Sequence, residues 1–300
     1  MRRLRTTPNR HGSWRLSWGL VPLLAGLVVA AVAVPAGGAE SRAEAGKVPR
    51  LVFPLVAKTL LWDNYGDPRG NGRHAGIDME NPWRAPVVAV EPGRVEYAAS
   101  GLGGCMLYLY GRSGTMYLYI HLNNDLTAKN DNKAGCVKGS AYAVPDGAKV
   151  LTGQQVAYNG DSGDANGNPH LHFEVHPNGG GDVNPFPHLK KASKLLFAGR
   201  EGAAFSLGLR GRVIAADDQS LTLSASQVRA YPGGQWLDID ERQLDLLYAV
   251  DPALAGTPRQ AAPKLSSRVS VFTAKAEVTK DALAGAPGAL VVSRVTALAP

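Results

Sequence analysis

The sequence predicts an all-β-dominated protein in two blocks: an antiparallel β-sheet block, then a smaller β-barrel or β-sandwich. Short runs that are apolar, or alternate apolar with polar, recur along the chain and are punctuated by many of its 35 glycines and 20 prolines. In the first block no stretch sustains helical periodicity beyond a few turns. A 300-residue chain that is 45% hydrophobic and 19% charged is of ordinary globular composition and long enough for two domains. Collagen, bulk disorder and a multi-span membrane protein are excluded.

The elements follow in order. Pro86–Val90 reads as a buried strand ended by Glu91-Pro92-Gly93, and Arg94–Tyr97 alternates as a half-buried strand. Met106–Tyr110 and Thr115–His121 flank Gly111-Arg112-Ser113-Gly114, a hairpin pattern. Val150 and Val156 flank a turn at Gly153, and Leu171–Val175 is a further strand. In the second block, Gly211–Ala215 and Ser220–Ser224 flank a turn at Asp217-Asp218-Gln219, and Val269–Thr273 and Ala289–Val295 add strands. Leu237–Ala255 reads as helical or irregular, and Ala255–Lys264 as a Pro/Ala-rich loop. The resulting organisation is a signal peptide at 1–39, a linker at 40–50, the first block at 51–189, a connector at 190–207 and the second block at 208–300.

The net charge of +7 invites a nucleic-acid reading, but its location argues against one. Arg2, Arg3, Arg5, Arg10 and Arg15 precede Leu16, and no acid occurs before Glu40, so the remaining 27 bases nearly balance the 25 acids. No nucleic-acid partner is expected. Arginines, then the uncharged stretch Leu16–Ala39, then small residues at Val34-Pro35-Ala36 and Gly37-Gly38-Ala39 are the three parts of a secretory signal. The alternative is an uncleaved membrane anchor. Pro22, Pro35 and the glycines favour cleavage, so the protein is expected to be secreted or in the cell envelope, touching membrane only through the export signal.

Export bears on Cys105 and Cys136, the only cysteines, because oxidising surroundings allow them to pair. A bridge across that loop stabilises by roughly 3–4 kcal/mol in the chain-entropy model. Two cysteines exclude a disulfide-dense mini-scaffold and a zinc site built mainly of thiolates.

Histidines mark the chemistry. Of seven, only one lies outside residues 74–188. His74-Ala75-Gly76-Ile77-Asp78 sets an imidazole and a carboxylate four apart. In Pro169-His170-Leu171-His172-Phe173-Glu174 the two histidines share one strand face while Leu171 and Phe173 enter the core. Tyr119-Ile120-His121-Leu122 ends another strand with a histidine. Each piece alone has a bland explanation as a surface pair, a solvated strand face or a core histidine. Together they offer imidazoles and a carboxylate, the ligands of a catalytic zinc with one position left open. His176 and His188, each beside a proline, are assigned to loops, and the second block holds no histidine or cysteine.

In these motifs the first block resembles the lysostaphin/LytM-type zinc metallopeptidases, which cut peptidoglycan cross-bridges and stem peptides. The resemblance runs from about Phe53 to Leu189: Gly72–Asp78, then Ala85–Ala89 and Gly93-Arg94-Val95, the Y-x-H-L segment at Tyr119–Leu122, P-H-L-H-F-E at Pro169–Glu174, and Asn184-Pro185. It implies that His74, Asp78 and His172 hold Zn²⁺, that His121 and His170 flank the open position, and that peptidoglycan peptides are the substrate. Of the two free histidines, His170 is assigned as general base and His121 as oxyanion stabiliser, roles that could be exchanged.

No H-E-x-x-H is present, so no glutamate stands beside the metal as base, and Glu174 takes a supporting role. The Gly/Asn-rich loop Asp161–Asn168 is expected to border the cleft. Two alternatives stand beside the hydrolase: a non-catalytic LytM-like activator of another wall hydrolase, and a zinc peptidase acting on a glycine-rich protein. The bond cut, latency (with Asn64 just ahead of the metal motif), the role of the second block and the oligomeric state are left open.

Overall fold

The computed structural model describes residues 47–248, apart from 71 and 128, and residues 263–298. The expected signal peptide lies outside the described residues, as do most of the linker and nearly all of the Ala255–Lys264 loop. The described residues belong to one compact unit. Among them, no helix is long and apolar enough to cross a membrane.

The first block opens with a small hairpin, β1 (Pro68–Arg69) and β2 (Gly72–Arg73). It continues through β3 (Ile77–Glu80), β4 (Pro86–Val88), β5 (Gly93–Ser100), β6 (Gly104–Gly111) and β7 (Met116–Leu122). β8 (Lys149–Val150), β9 (Gln155–Tyr158), β10 (His170–His176) and the short helix α1 (Phe186–Lys190) complete it. Six strands form one antiparallel sheet in the order β3-β10-β7-β6-β5-β8, and β4 pairs with β9. One sheet face buries Ile77, Met79, Leu107, Tyr117, Tyr119, Leu171 and Phe173 in a closed core. The other face carries the smaller cluster Met106, Leu118 and Ile120. Cys105 and Cys136 are bridged, tying the long segment after β7 to β6.

The second block contains β11 (Ala204–Phe205), β12 (Leu207–Ala216), β13 (Ser220–Ala230), β14 (Leu237–Tyr248), β15 (Arg268–Thr273), β16 (Ala276–Glu277), helix α2 (Lys280–Ala284) and β17 (Val291–Ala297). Of the two expected forms it is a barrel, closed in the order β12-β13-β14-β17-β15. The expectation of helical or irregular structure from Leu237 is corrected by β14. Leu237 and Ile239 point inward, and so do Leu244 and Leu246, so the inward phase changes from odd to even positions. A register irregularity opposite Ala225/Gln227 absorbs the extra residues of β14. Such a slip hides the period of two on which strand recognition rests.

The connector is not an exposed linker. Leu195, Leu196 and Phe197 are buried in one cluster with barrel residues Leu209, Leu223 and Leu244 and with Val56, Ala57, Ala85 and Val88 of the first block. Backbone bonds cross the same junction, from Lys58 N–H to the Asp238 carbonyl (2.7 Å) and from Gly199 N–H to the Gly153 carbonyl (3.0 Å). A shared core of this kind makes the two blocks unfold together. Denaturant titration is expected to give one cooperative transition, and Leu196→Ala to lower stability by about 2–5 kcal/mol without splitting it. Two separated transitions in the unaltered chain would contradict the shared core.

Candidate metal centre and active site

Strand pairing assembles the site. β10 lies between β3 and β7, with His172 opposite Asp78 on one side and opposite Ile120 on the other. Alternation along β10 sends Leu171, Phe173 and Val175 into the core. His170, His172 and Glu174 go to the opposite face, where they line a groove of about 820 Å³ together with Asp78. His74 sits just before β3. The intervening Gly76 is required by close approach, since a Cβ there would lie 2.5 Å from the Phe173 carbonyl oxygen and 2.8 Å from His172 Nε2.

Three ligand atoms converge. Asp78 Oδ1 is 3.0 Å from His74 Nε2 and 2.8 Å from His172 Nδ1, and the two nitrogens are 2.9 Å apart. The outer ring atoms are already engaged: His74 Nδ1 with the Asn64 carbonyl at 2.7 Å, and His172 Nε2 with Glu174 Oε1 at 3.0 Å. Both partners are acceptors, so each outer nitrogen carries a hydrogen and each inner nitrogen is aimed at Asp78 Oδ1, where it can hold a proton or, in its place, a metal ion. Two imidazole nitrogens and a carboxylate oxygen facing one another call for a cation, and the N, N, O set fits a metal ion. Burial opposes charge on His172, yet hydrogen bonds to Asp78 and Glu174 outweigh it and raise its pKa to about 9. Burial also opposes ionisation of Asp78, and His172 and His74 overcome that, holding its carboxyl far below the usual carboxylate range.

His121 and His170 stand beside the triad, their ring centroids 4.8 Å apart. His170 Nε2 is 3.7 Å from Asp78 Oδ1. The Asp161–Asn168 loop borders the cleft and also fixes both rings. The Ser162 carbonyl takes a hydrogen bond from His121 Nδ1 at 2.9 Å, and the Asn168 carbonyl one from His170 Nδ1 at 2.8 Å. Each therefore turns a bare Nε2 towards the groove. The loop is itself held: buried Asp161 accepts from Gly167 N–H and Asn130 Nδ2, both at 2.6 Å, and Ser162 Oγ donates to the Leu122 carbonyl at 2.6 Å. His121 has φ of 61°, a left-handed turn at the end of β7 that redirects its ring.

The structure thus brings together all five residues singled out in the sequence. It adds supporting groups that sequence reasoning missed or set aside. His176 is not merely a loop histidine, because its Nε2 lies 2.6 Å from Glu174 Oε2, extending the chain His172–Glu174–His176. Arg69 holds Asp78 Oδ2 at 2.6 Å, leaving Oδ1 for the two imidazoles. Asn64 also accepts the Asp78 N–H through Oδ1 at 3.2 Å, so both its oxygens bond to the backs of the ligands. Only the two-residue spacing of Glu174 and His176 on one strand carried a signal; Arg69 and Asn64 have none. His188 sits on α1, outside the groove lining.

Burial is the main cause that lowers the His121 pKa to about 4 from its usual 6.5. The unfolded chain then takes up a proton that the folded chain refuses. His121 contributes stability above pH 6.5 that is lost as pH falls towards 4. The loss amounts to roughly 3 kcal/mol. Urea titrations of metal-free protein should show a flatter acid dependence for His121→Asn by that amount; identical slopes would contradict it.

Residues 72–185 match the family described as Peptidase family M23. An uncharacterised metalloprotease of Haemophilus influenzae is 34% identical over 114 residues, covering 37% of this chain and 20% of that protein. The chain thus spans about a fifth of the length of this curated relative. Among solved structures, the catalytic domain of the antimicrobial peptidase lysostaphin from Staphylococcus simulans is similar at 27% identity and TM-score 0.34, covering 45% of this chain and 92% of that one. A zinc-containing peptidase from Vibrio cholerae is similar at 24% identity and TM-score 0.35, covering 45% and 39%. The histidine and aspartate motifs that form the groove lie within the segment that matches Peptidase family M23.

Proposed function

We propose that the protein is an exported zinc metalloendopeptidase that hydrolyses peptide bonds of peptidoglycan. One observation carries the reading: the ligand atoms of His74, Asp78 and His172 face one another within 3.0 Å at the bottom of an open groove. Two imidazoles and one carboxylate with a fourth side open is a donor set of catalytic zinc. When bound, the metal would act as a Lewis acid and bring the pKa of water from about 15.7 towards 7.

The chain's own residues then handle protons and substrate. His170 Nε2, bare and beside the ligand cluster, accepts the proton of the attacking water. Burial lowers His121 to about 4, which makes it a poor proton acceptor. Neutral near pH 7 with its hydrogen on Nδ1, it accepts a hydrogen bond through Nε2 and so orients the attacking water. The apolar floor of Met106 and Ile120 seats an extended peptide, while Trp62 and Leu102, both exposed, flank it. Export is supported by the arginine-led apolar N-terminus and by a disulfide of the kind that persists in oxidising compartments. The peptidoglycan substrate is supported by the ordered motifs that resemble wall-cutting peptidases.

Muropeptide mass spectrometry on sacculi incubated with residues 40–300 tests the proposal. New peptide termini are expected, abolished by a chelator and by His172→Ala, and reduced about 10²–10⁴-fold in His170→Ala. Trp62→Ala should raise KM several-fold with little change in kcat. Zinc-loaded, folded protein that releases nothing from several wall types would overturn the hydrolase reading. Cleavage of Gly-Gly polypeptides with intact sacculi would move the substrate to a glycine-rich protein.

A further inference from the structure

The barrel carries arginines together on one outer face. Strand register sets Arg212 directly opposite Arg268, and Arg294 opposite Phe272. Gly208, across from Phe272, faces Arg229 on its other side, and Arg210 follows Gly208 by two on the same face. Like charges directly opposite on neighbouring strands are destabilising, so the Arg212–Arg268 pairing runs against stability. The basic residues that form ion pairs with carboxylates elsewhere include Arg69, Arg73 and Lys194. Among the described residues, none of these five arginines does so.

Their guanidinium groups lie over aromatic rings. Arg210 and Arg229 are 4.0 and 4.6 Å from the centroid of Trp236. Arg294 is 4.4 Å from that of Phe272, with Arg229 at 5.8 Å. Tyr231 packs on Phe272 at 4.7 Å and accepts a hydrogen bond from Arg294 Nη2 at 3.3 Å. Gly208 makes room, because a Cβ there would be 3.1 Å from both Trp236 and Arg229. Arg229 Nε is buried with no hydrogen-bond partner.

Stacking orders the guanidinium forks before any ligand arrives, which reduces the entropy lost on binding an anion. It also occupies the rings. Single-stranded nucleic acid binds largely by stacking bases on open aromatic faces, and here arginines crowd Trp236 and Phe272. What the face offers outward is donors that are always charged. Their complement is a chain of acceptor-only, always-ionised groups, and phosphodiesters meet that description and accept bidentate arginine. From this we infer that the face formed by β17, β15, β12 and β13 binds a linear polyol-phosphate polymer that carries no bases. The inference stands on the barrel alone and is independent of the peptidase reading.

The test uses the full chain and purified poly(glycerol phosphate) as probe, with Arg268→Gln/Arg294→Gln, both exposed positions, as the variant. Unaltered protein is expected to bind, with affinity falling steeply as salt rises. The folded double variant should bind at least tenfold more weakly, with a log–log salt slope shallower by roughly one to two. Cleavage of a soluble peptide, measured in parallel, should be the same for both, which separates this inference from the hydrolase proposal. Absence of salt-dependent binding, or equal binding by a double variant of unchanged melting temperature, overturns the site. An oligodeoxynucleotide of equal charge binding as tightly overturns the base-free reading.

Discussion

The pairing of β10 with β3 in a single register is the constraint on which the rest of the site depends. It sets His172 against Asp78 and leaves His74, one turn earlier, to close the triad. A slip of one residue would send His170 and His172 into the core and Leu171 and Phe173 into the groove. The register is defended on the buried face, where Leu171 and Phe173 fill positions of zero exposure beside Ile77, Tyr117 and Tyr119. Chemistry on one face of the sheet is thus held in place by packing on the other.

Hydrogen bonds finish what strand pairing begins. Every ring of the centre spends one nitrogen on an outer acceptor: the Asn64 carbonyl, Glu174, or the carbonyls of Ser162 and Asn168. The remaining nitrogens are therefore aimed inward before a ligand arrives, and a carboxylate oxygen joins two of them. The arrangement is electrostatically incomplete without a cation. The raised His172 and strongly lowered Asp78 express the same demand for positive charge.

The strands of the first block and all five central residues were legible because both rest on short-range patterns: alternation in His170–Glu174, and fixed spacing in His74–Asp78. The Asp161–Asn168 loop could be placed at the cleft by composition, but backbone carbonyls carry no residue signature, so its grip on two imidazoles could not be read. Arg69 and Asn64 reach the ligands through turn geometry rather than spacing. β14 was misread because its inward phase slips between Ile239 and Leu244. Leu195–Phe197 looked like connector because a three-residue apolar run has no period of its own, yet it forms part of the seam between the blocks.

That seam makes the barrel a fixed part of the enzyme-like block rather than a tethered appendage, so whatever the barrel binds is presented at a set place. The chemistry, however, rests on the metal triad. Nitrogen-15 NMR of the imidazoles before and after one equivalent of zinc tests it most directly. Coordination shifts are expected at His74 Nε2 and His172 Nδ1, with the Nδ1 hydrogens of His121 and His170 retained. Coordination through His121 or His170, or zinc bound equally well by Asp78→Ala, would contradict it.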